Sequence, residues 1–157
     1  MKRIEQLQPL SKEHHQSLVL AQKAIKVNKS GDMNLISGLC QEIINDYPAV
    51  WKVHFQIEED SIFQLFDLDS EVTNNTSRQK DRGITQLCEK LKQEHLTMNS
   101  YYEQMKSGDY TLLGKFGELL KQHTRTEERE LFPLLDTALT SEELDNVYQT
   151  SLKYRQT

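Results

Sequence analysis

The sequence predicts an all-α protein: an antiparallel up-down-up-down four-helix bundle with a short extra C-terminal helix. Three observations predict it. The chain carries only six glycines and three prolines in 157 residues, and its long Lys/Glu/Gln/Leu stretches favour helix. Apolar residues recur at spacings of three and four, whereas strand-like alternation is absent. Four long periodic stretches are joined by short connections, the pattern of helices that fold back on one another.

Helix one follows a short lead that ends near Pro9. Leu7, Leu10, His14, Leu18, Ala21 and Ile25 share one face, and the pattern stops at Asn28 to Gly31, where a glycine suits a helix end. A second helical region runs from about Met33 to Phe66. Pro48 should interrupt it, because proline lacks the N–H and disfavours helix at the preceding Tyr47, and Asp46 is the candidate cap for the restarted half. The polar stretch Leu68 to Lys80, with Asn74-Asn75-Thr76-Ser77, reads as a loop. Helix three spans about Asp81 to Lys106 and puts Ile84, Cys88, Leu91, His95, Met98, Tyr102 and Met105 on one face, until Ser107-Gly108-Asp109 breaks it. Helix four runs from about Thr111 to Leu135 with Leu113, Phe116, Leu120, His123, Glu127, Leu131 and Leu134 inward, and Pro133 is expected to bend it or end it early. Thr140 with Glu143 three residues later is a capping box, so Ser141 to about Tyr154 should form a fifth helix packed on the outside.

The length fits one domain, residues 1–157, with its core over about 10–135 and the appended helix over about 141–154. A net charge of −5 argues against nucleic acid or an anionic membrane as partner, since either calls for a basic face. No apolar run approaches the roughly 20 residues that span a bilayer. The start, Met1-Lys2-Arg3-Ile4-Glu5, lacks the apolar stretch of a secretory signal, so the expected location is cytoplasmic. Cys40 and Cys88 form no C-x-x-C pair, which excludes a thiolate zinc site and gives no disulfide framework. They are expected to be buried thiols.

The chemistry lies in a repeated phrase. His54 is followed by Glu58, Glu59 and Phe63, and His123 by Glu127, Glu128 and Phe132 at the same offsets. An imidazole and a carboxylate four apart on a helix lie one turn above each other on one face. A single such pair is usually a solvated surface pair worth a few tenths of a kcal/mol. Two copies on helices whose other inward positions are Leu and Phe would bury charge without compensation, and a bound cation is the simplest compensation. Glu58 and Glu127 each have two oxygens that can bind different ions, which favours a dinuclear site. Imidazole and carboxylate suit iron or manganese and, less selectively, zinc. His95 on helix three joins the set; alone it would read as a core histidine. On helix one, periodicity favours His14, while the adjacent His15 stays open as the alternative. The candidate metal ligands are therefore His14, His15, His54, Glu58, His95, His123 and Glu127. Glu59 and Glu128 are expected to be outer partners or solvated charges, Phe63 and Phe132 core residues that shield the site, and Tyr47, Tyr101, Tyr102 and Cys88 packing.

At Glu13-His14-His15, His54-Phe55 with Glu58-Glu59, Glu94-His95, and His123 with Glu127-Glu128 and Leu131-Phe132-Pro133, the chain resembles the hemerythrin-like, HHE cation-binding family. The resemblance covers about Leu10 to Leu135. It implies a four-helix bundle around two non-haem iron ions bridged by carboxylates, with zinc or manganese as alternatives, and a role in binding or sensing oxygen, nitric oxide or iron, or in handling peroxide. One departure stands out. Oxygen-carrying hemerythrins look like they use two histidines four apart on the third helix, but four after His95 is Asn99 and four before is Leu91. The expectation is a lopsided centre, short of one ligand at helix three, whose opening favours reactive or sensory chemistry over stable oxygen carriage. Two alternatives compete with that reading: a di-iron oxidase or peroxide-consuming enzyme with Glu59, Glu94 or Glu128 managing protons, and a helical interaction module whose metal is only structural.

Overall fold

A computed structural model of the protein describes residues 4–67 and 82–155, which are helical nearly throughout, with no strand among them. The expected loop from Leu68 to Lys80 and the expected helix start at Asp81 lie outside the described residues. A 3-10 turn, Glu5–Leu7, leads into α1, Gln8–Ser30. Pro9 occupies its first turn, where a missing N–H leaves no bond unmade. Gly31, in the left-handed region at φ 68°, ends it. The buried line of α1 is Leu10, His14, Ser17, Ala21 and Ala24, with Leu18 and Ile25 only half-buried at its edges.

Helix α2, Met33–Asp46, is capped by Asp32, whose carboxylate accepts from the N–H groups of Asn34 (3.0 Å) and Leu35 (3.2 Å). The chain breaks around Pro48 and restarts as α3, Trp51–Ser61, followed by a 3-10 turn, Phe63–Phe66. Asp46 is not the cap of that restart. Val50 holds the position with no side-chain bond, and Asp46 contributes its carbonyl instead, accepting from Val50 N–H at 2.9 Å. Helix α4, Arg82–Lys106, buries all seven residues expected on its inner face, and Gly108 at φ 108° turns the chain beyond it.

The fourth long stretch is not one regular helix. A 3-10 turn, Tyr110–Leu112, opens α5, Leu113–Thr126; a π-helical turn, Glu127–Leu131, follows, and α6, Phe132–Ala138, completes it. Pro133 sits in the first turn of α6 and cannot donate back to Arg129. The chain passes it by widening the preceding turn: Phe132 N–H bonds Glu127 C=O, five residues back. That one extra residue advances the inward register. Leu131, Phe132 and Leu135 are buried, and Leu134, expected inward, is 45% exposed. Helix α7, Ser141–Arg155, begins with the capping box: Thr140 N–H donates to Glu143 Oε1 at 2.9 Å and Glu143 N–H to Thr140 Oγ1 at 3.1 Å.

Helix α1 runs opposite to α5, and α2 with α3 opposite to α4, whereas α7 runs alongside α1 in the same direction, Gln6 meeting Asp145 and Glu13 meeting Arg155. A Cβ on Gly117 would meet Ala21 and Ala24 at 3.0 Å and one on Gly114 would meet Asn28, while His14 faces Glu127 and Glu128, so α1 descends as α5 rises. The same opposed order pairs Cys40 with Met105, Tyr47 with Tyr102 and Phe55 with His95. Two apolar clusters result. One gathers Ala21, Ala24, Tyr47, Phe55, Met98, Tyr102 and Phe116; the other gathers Leu7, Leu10, Ile57, Phe63, Cys88, Leu91, Phe132 and Leu135. Between them, on α1, α3, α4 and α5 with its π turn, fall the six buried histidines and glutamates: His14, His54, Glu58, His95, His123 and Glu127. Among the described residues no helix is long and apolar enough to cross a membrane.

Candidate metal centre

Helix α1 brings His14, α3 brings His54 and Glu58, α4 brings His95, and α5 with its π turn brings His123 and Glu127. All six are at most 4% exposed, and both carboxylates are fully buried. Burying an uncompensated carboxylate costs several kcal/mol even after relaxation, about what two large apolar side chains contribute by their burial. The centre therefore has to be balanced from within.

The imidazoles show how. His14 Nδ1 lies 2.6 Å from Glu128 Oε1, His54 Nδ1 3.2 Å from Glu13 Oε1, His95 Nδ1 3.0 Å from Glu59 Oε2 and His123 Nδ1 2.9 Å from Glu94 Oε1. A carboxylate can only accept, so each Nδ1 carries the proton and a neutral ring turns a bare Nε2 inward. There the lone pairs confront one another. His14 and His54 bring their Nε2 atoms to 3.2 Å, and His95 and His123 theirs to 3.1 Å. Glu127 Oε1 lies 3.0 Å from His123 Nε2 and 3.3 Å from His14 Nε2, yet neither Glu127 oxygen has a hydrogen-bond donor, nor does Glu58 Oε2. Short distances with no proton between the atoms mean repulsion, unless a cation or an added proton lies among them. These residues fit a metal.

Two groups could each hold an ion: His14, His54, Glu58 and Glu127; and Glu58, His95 and His123, the donor atoms of each lying within 4.8 Å of one another. Glu58 serves both, with Oε2 3.3 Å from His54 Nε2 and Oε1 3.1 Å from His95 Nε2. Without a cation, protons fill the role. Burial works against the charged form of His123, but Glu127, Glu94 and Glu58 outweigh it and push its pKa up to about 9. His14 is likewise raised well above its ordinary value against its own burial by Glu127, Glu128 and Glu58. Glu58 is held well below the usual carboxylate range, as His54, Glu127 and His14 overcome the opposing effect of burial.

The family model of the hemerythrin HHE cation-binding domain matches residues 7–135, a span that contains all six inward residues. The chain belongs to the hemerythrin HHE cation-binding family. Comparison with curated proteins gave no match, and neither did comparison with solved structures.

Within this hemerythrin-type centre the structure sorts the candidates. His14 is 1% exposed and faces the centre, whereas His15 is exposed and belongs to neither group. Adjacent residues on a helix differ by about 100° in direction, so both cannot face inward. In line with the expected lopsidedness, α4 supplies His95 alone, and the group around it holds three donor residues against four in the other. His95 pairs with His123 across two helices as His14 pairs with His54, giving two imidazoles to each side. Phe132 lies 5.2 Å from the His14 ring and Phe63 5.4 Å from the His95 ring, while Phe55 stacks on His95 at 4.1 Å. Tyr47 and Tyr102 stack on each other at 4.3 Å. Burial raises the Cys40 thiol to about 11 and the Cys88 thiol further still, so both stay protonated and unreactive. Glu13 and Glu94 hold His54 and His123 in the way that Glu59 and Glu128 hold His95 and His14. The signal for them was the acid directly before His14 and before His95.

Proposed function

We propose that the protein is a non-haem di-iron protein of hemerythrin-like type that binds or senses oxygen or nitric oxide at an open centre. The observation that carries this reading is the sharing of Glu58 between two histidine pairs, one oxygen toward each. His14 and His54 would hold one ion and His95 and His123 the other, with Glu58 and Glu127 between them. The three donor residues of the His95 group, against four in the His14 group, would leave positions open there for a small ligand. When bound, the iron pair supplies the redox and ligand-binding chemistry. The chain supplies the rest: the outer carboxylates fix the imidazole tautomers, and Phe55, Phe63 and Phe132 exclude water. A cytoplasmic setting and an up-down-up-down four-helix arrangement belong to the same proposal, the latter supported by the opposed registers of α1 with α5 and of α2 and α3 with α4.

Protein purified from iron-replete cells should carry about two irons per chain, as the two donor groups require, and near-ultraviolet bands that change on addition of oxygen, nitric oxide or peroxide. A colourless, iron-free protein would overturn the reading. A second reading, peroxide consumption, draws on Glu59 and Glu128, whose side chains are 31% and 27% exposed while touching inward imidazoles, a placement suited to passing protons outward. Steady turnover of peroxide, abolished in Glu127→Ala, would favour it over binding alone. Zinc in place of iron, with no ligand-dependent spectrum, would make the metal structural.

A further inference from the structure

Helix α7 lies beyond the residues that the family match covers, yet its last turn reaches the centre. Arg155 Nη2 donates to Glu13 Oε2, while Glu13 Oε1 faces His54 Nδ1 at 3.2 Å. One carboxylate thus holds a guanidinium with one oxygen and an inward imidazole with the other. The helix that carries Arg155 is itself tied down. Leu144 and Val147 are buried in the second apolar cluster, Tyr154 OH donates to Asp60, and Gln6 Nε2 donates to Asp145 at 3.2 Å. The other half of the centre is built differently. Among the described residues no lysine or arginine pairs with Glu59 or Glu94, the partners of His95 and His123.

We infer that Arg155 is a positioning residue for the His14–His54 half of the centre, holding Glu13 so that Glu13 holds His54, and that α7 thereby makes the two metal positions unequal. The inference rests on the metal-centre reading above. Its physical basis is rotamer control. The Glu13 side chain is 19% exposed, so water competes for it, and a planar guanidinium fork is pre-organised to keep a carboxylate in one orientation. A partly exposed ion pair of this kind adds little to stability. An outer partner of a ligating imidazole, by contrast, commonly changes metal affinity 10- to 100-fold, so the effect of Arg155 belongs in binding.

Anaerobic titration with cobalt(II), followed by its visible absorption, tests this on the full chain. Wild type should bind two ions in resolvable steps. Arg155→Ala should weaken one step by about tenfold, the lower end of the outer-partner range, and leave the other within about twofold. Glu13→Gln should weaken that same step at least as much, and the double variant no more than Glu13→Gln alone, since Arg155 acts through Glu13. Glu94→Gln should weaken the other step, and Arg155→Lys should restore part of the loss. Metal-free melting temperatures should stay close to wild type. Arg155→Ala titrating like wild type while Glu13→Gln does not, or weakening both steps equally, would overturn the inference. Failure of wild type itself to bind cobalt would overturn the metal-centre reading, and the inference with it.

Discussion

Metal-free protein should lose stability as pH rises through the neutral range, the reverse of a protein whose buried histidines are neutral. In the absence of a cation His123 is held protonated up to about pH 9 by Glu127, Glu94 and Glu58 against its burial, compared with 6.5 for an ordinary histidine. A group whose folded-state pKa is raised contributes its full stability below the unfolded value and loses it as pH climbs through the folded one. Integrated from about pH 6 to about pH 9, that shift removes about 3 kcal/mol. His14, raised by Glu127, Glu128 and Glu58 against its burial, acts in the same direction. Glu58, held low, has the opposite sense but only at acidic pH. For a domain of this size about 3 kcal/mol corresponds to a fall of roughly 6–12 °C in melting temperature. The assay is thermal unfolding by circular dichroism in excess chelator at several pH values across that window. His123→Gln should fall less steeply, keeping only the share of His14. With metal restored the slope should reverse, because a bound cation needs a bare Nε2 and competes with the proton. A chelated protein whose melting temperature is flat or rising between those limits would refute the reasoning.

Two further outcomes follow from packing. Gly117→Ala puts a Cβ 3.0 Å from the Ala21 carbonyl and 3.0 Å from Ala24 Cβ, backbone and stub that cannot yield. It should cost about 1–3 kcal/mol by denaturant unfolding, whereas Gly114→Ala meets only the flexible Asn28 amide and should be far milder; equal effects would contradict the close approach of α1 to α5. Leu135→Ala should cost about 2–5 kcal/mol as a core truncation, while Leu134→Ala, at 45% exposed, should stay within about 0.5 kcal/mol. The reverse order would mean that the π turn is absent and the helix regular.

That last pair marks where the sequence stops being legible. Periodicity located α1, the end of α4 and α7 closely, because each keeps one phase along its length and is bounded by a glycine or a capping box. It failed at Leu134 because a single residue inserted by the π turn shifts the phase without changing composition, and Pro133 was the only hint of it. It failed at Asp46 because the cap of a restarted helix depends on how the turn around Pro48 closes. The centre follows the same division. Phase alone puts His14 inside and His15 outside. Counting donors helix by helix gave a site short at α4, and the donor groups keep that shortfall, three residues with His95 against four with His14; the pairing across helices, His95 with His123 and His14 with His54, needed the fold. Arg155 lies far from every ligand in sequence and on a helix that no motif ties to the site, so nothing short of a folded chain could have brought it to Glu13.

The outer carboxylates explain why the centre and the packing cannot be separated. Glu13 on α1 holds His54 on α3; Glu59 on α3 holds His95 on α4; Glu94 on α4 holds His123 on α5; and Glu128, in the π turn beyond α5, holds His14 on α1. Each helix accepts one hydrogen bond from the next around the bundle, and the circuit closes. Sliding or rotating any one helix by a turn would break two of the four bonds and expose a buried charge. A ring of that kind presses the imidazoles inward whether or not a cation is present, so the donor geometry is set before any cation binds. The cost of that preorganisation is the repulsion among the bare Nε2 atoms and the two central carboxylates, which added protons relieve in part and bound cations would relieve more fully. Metal affinity in this bundle is thus stored during folding, and any change that loosens one link of the ring should appear first in metal binding and only later in the melting temperature.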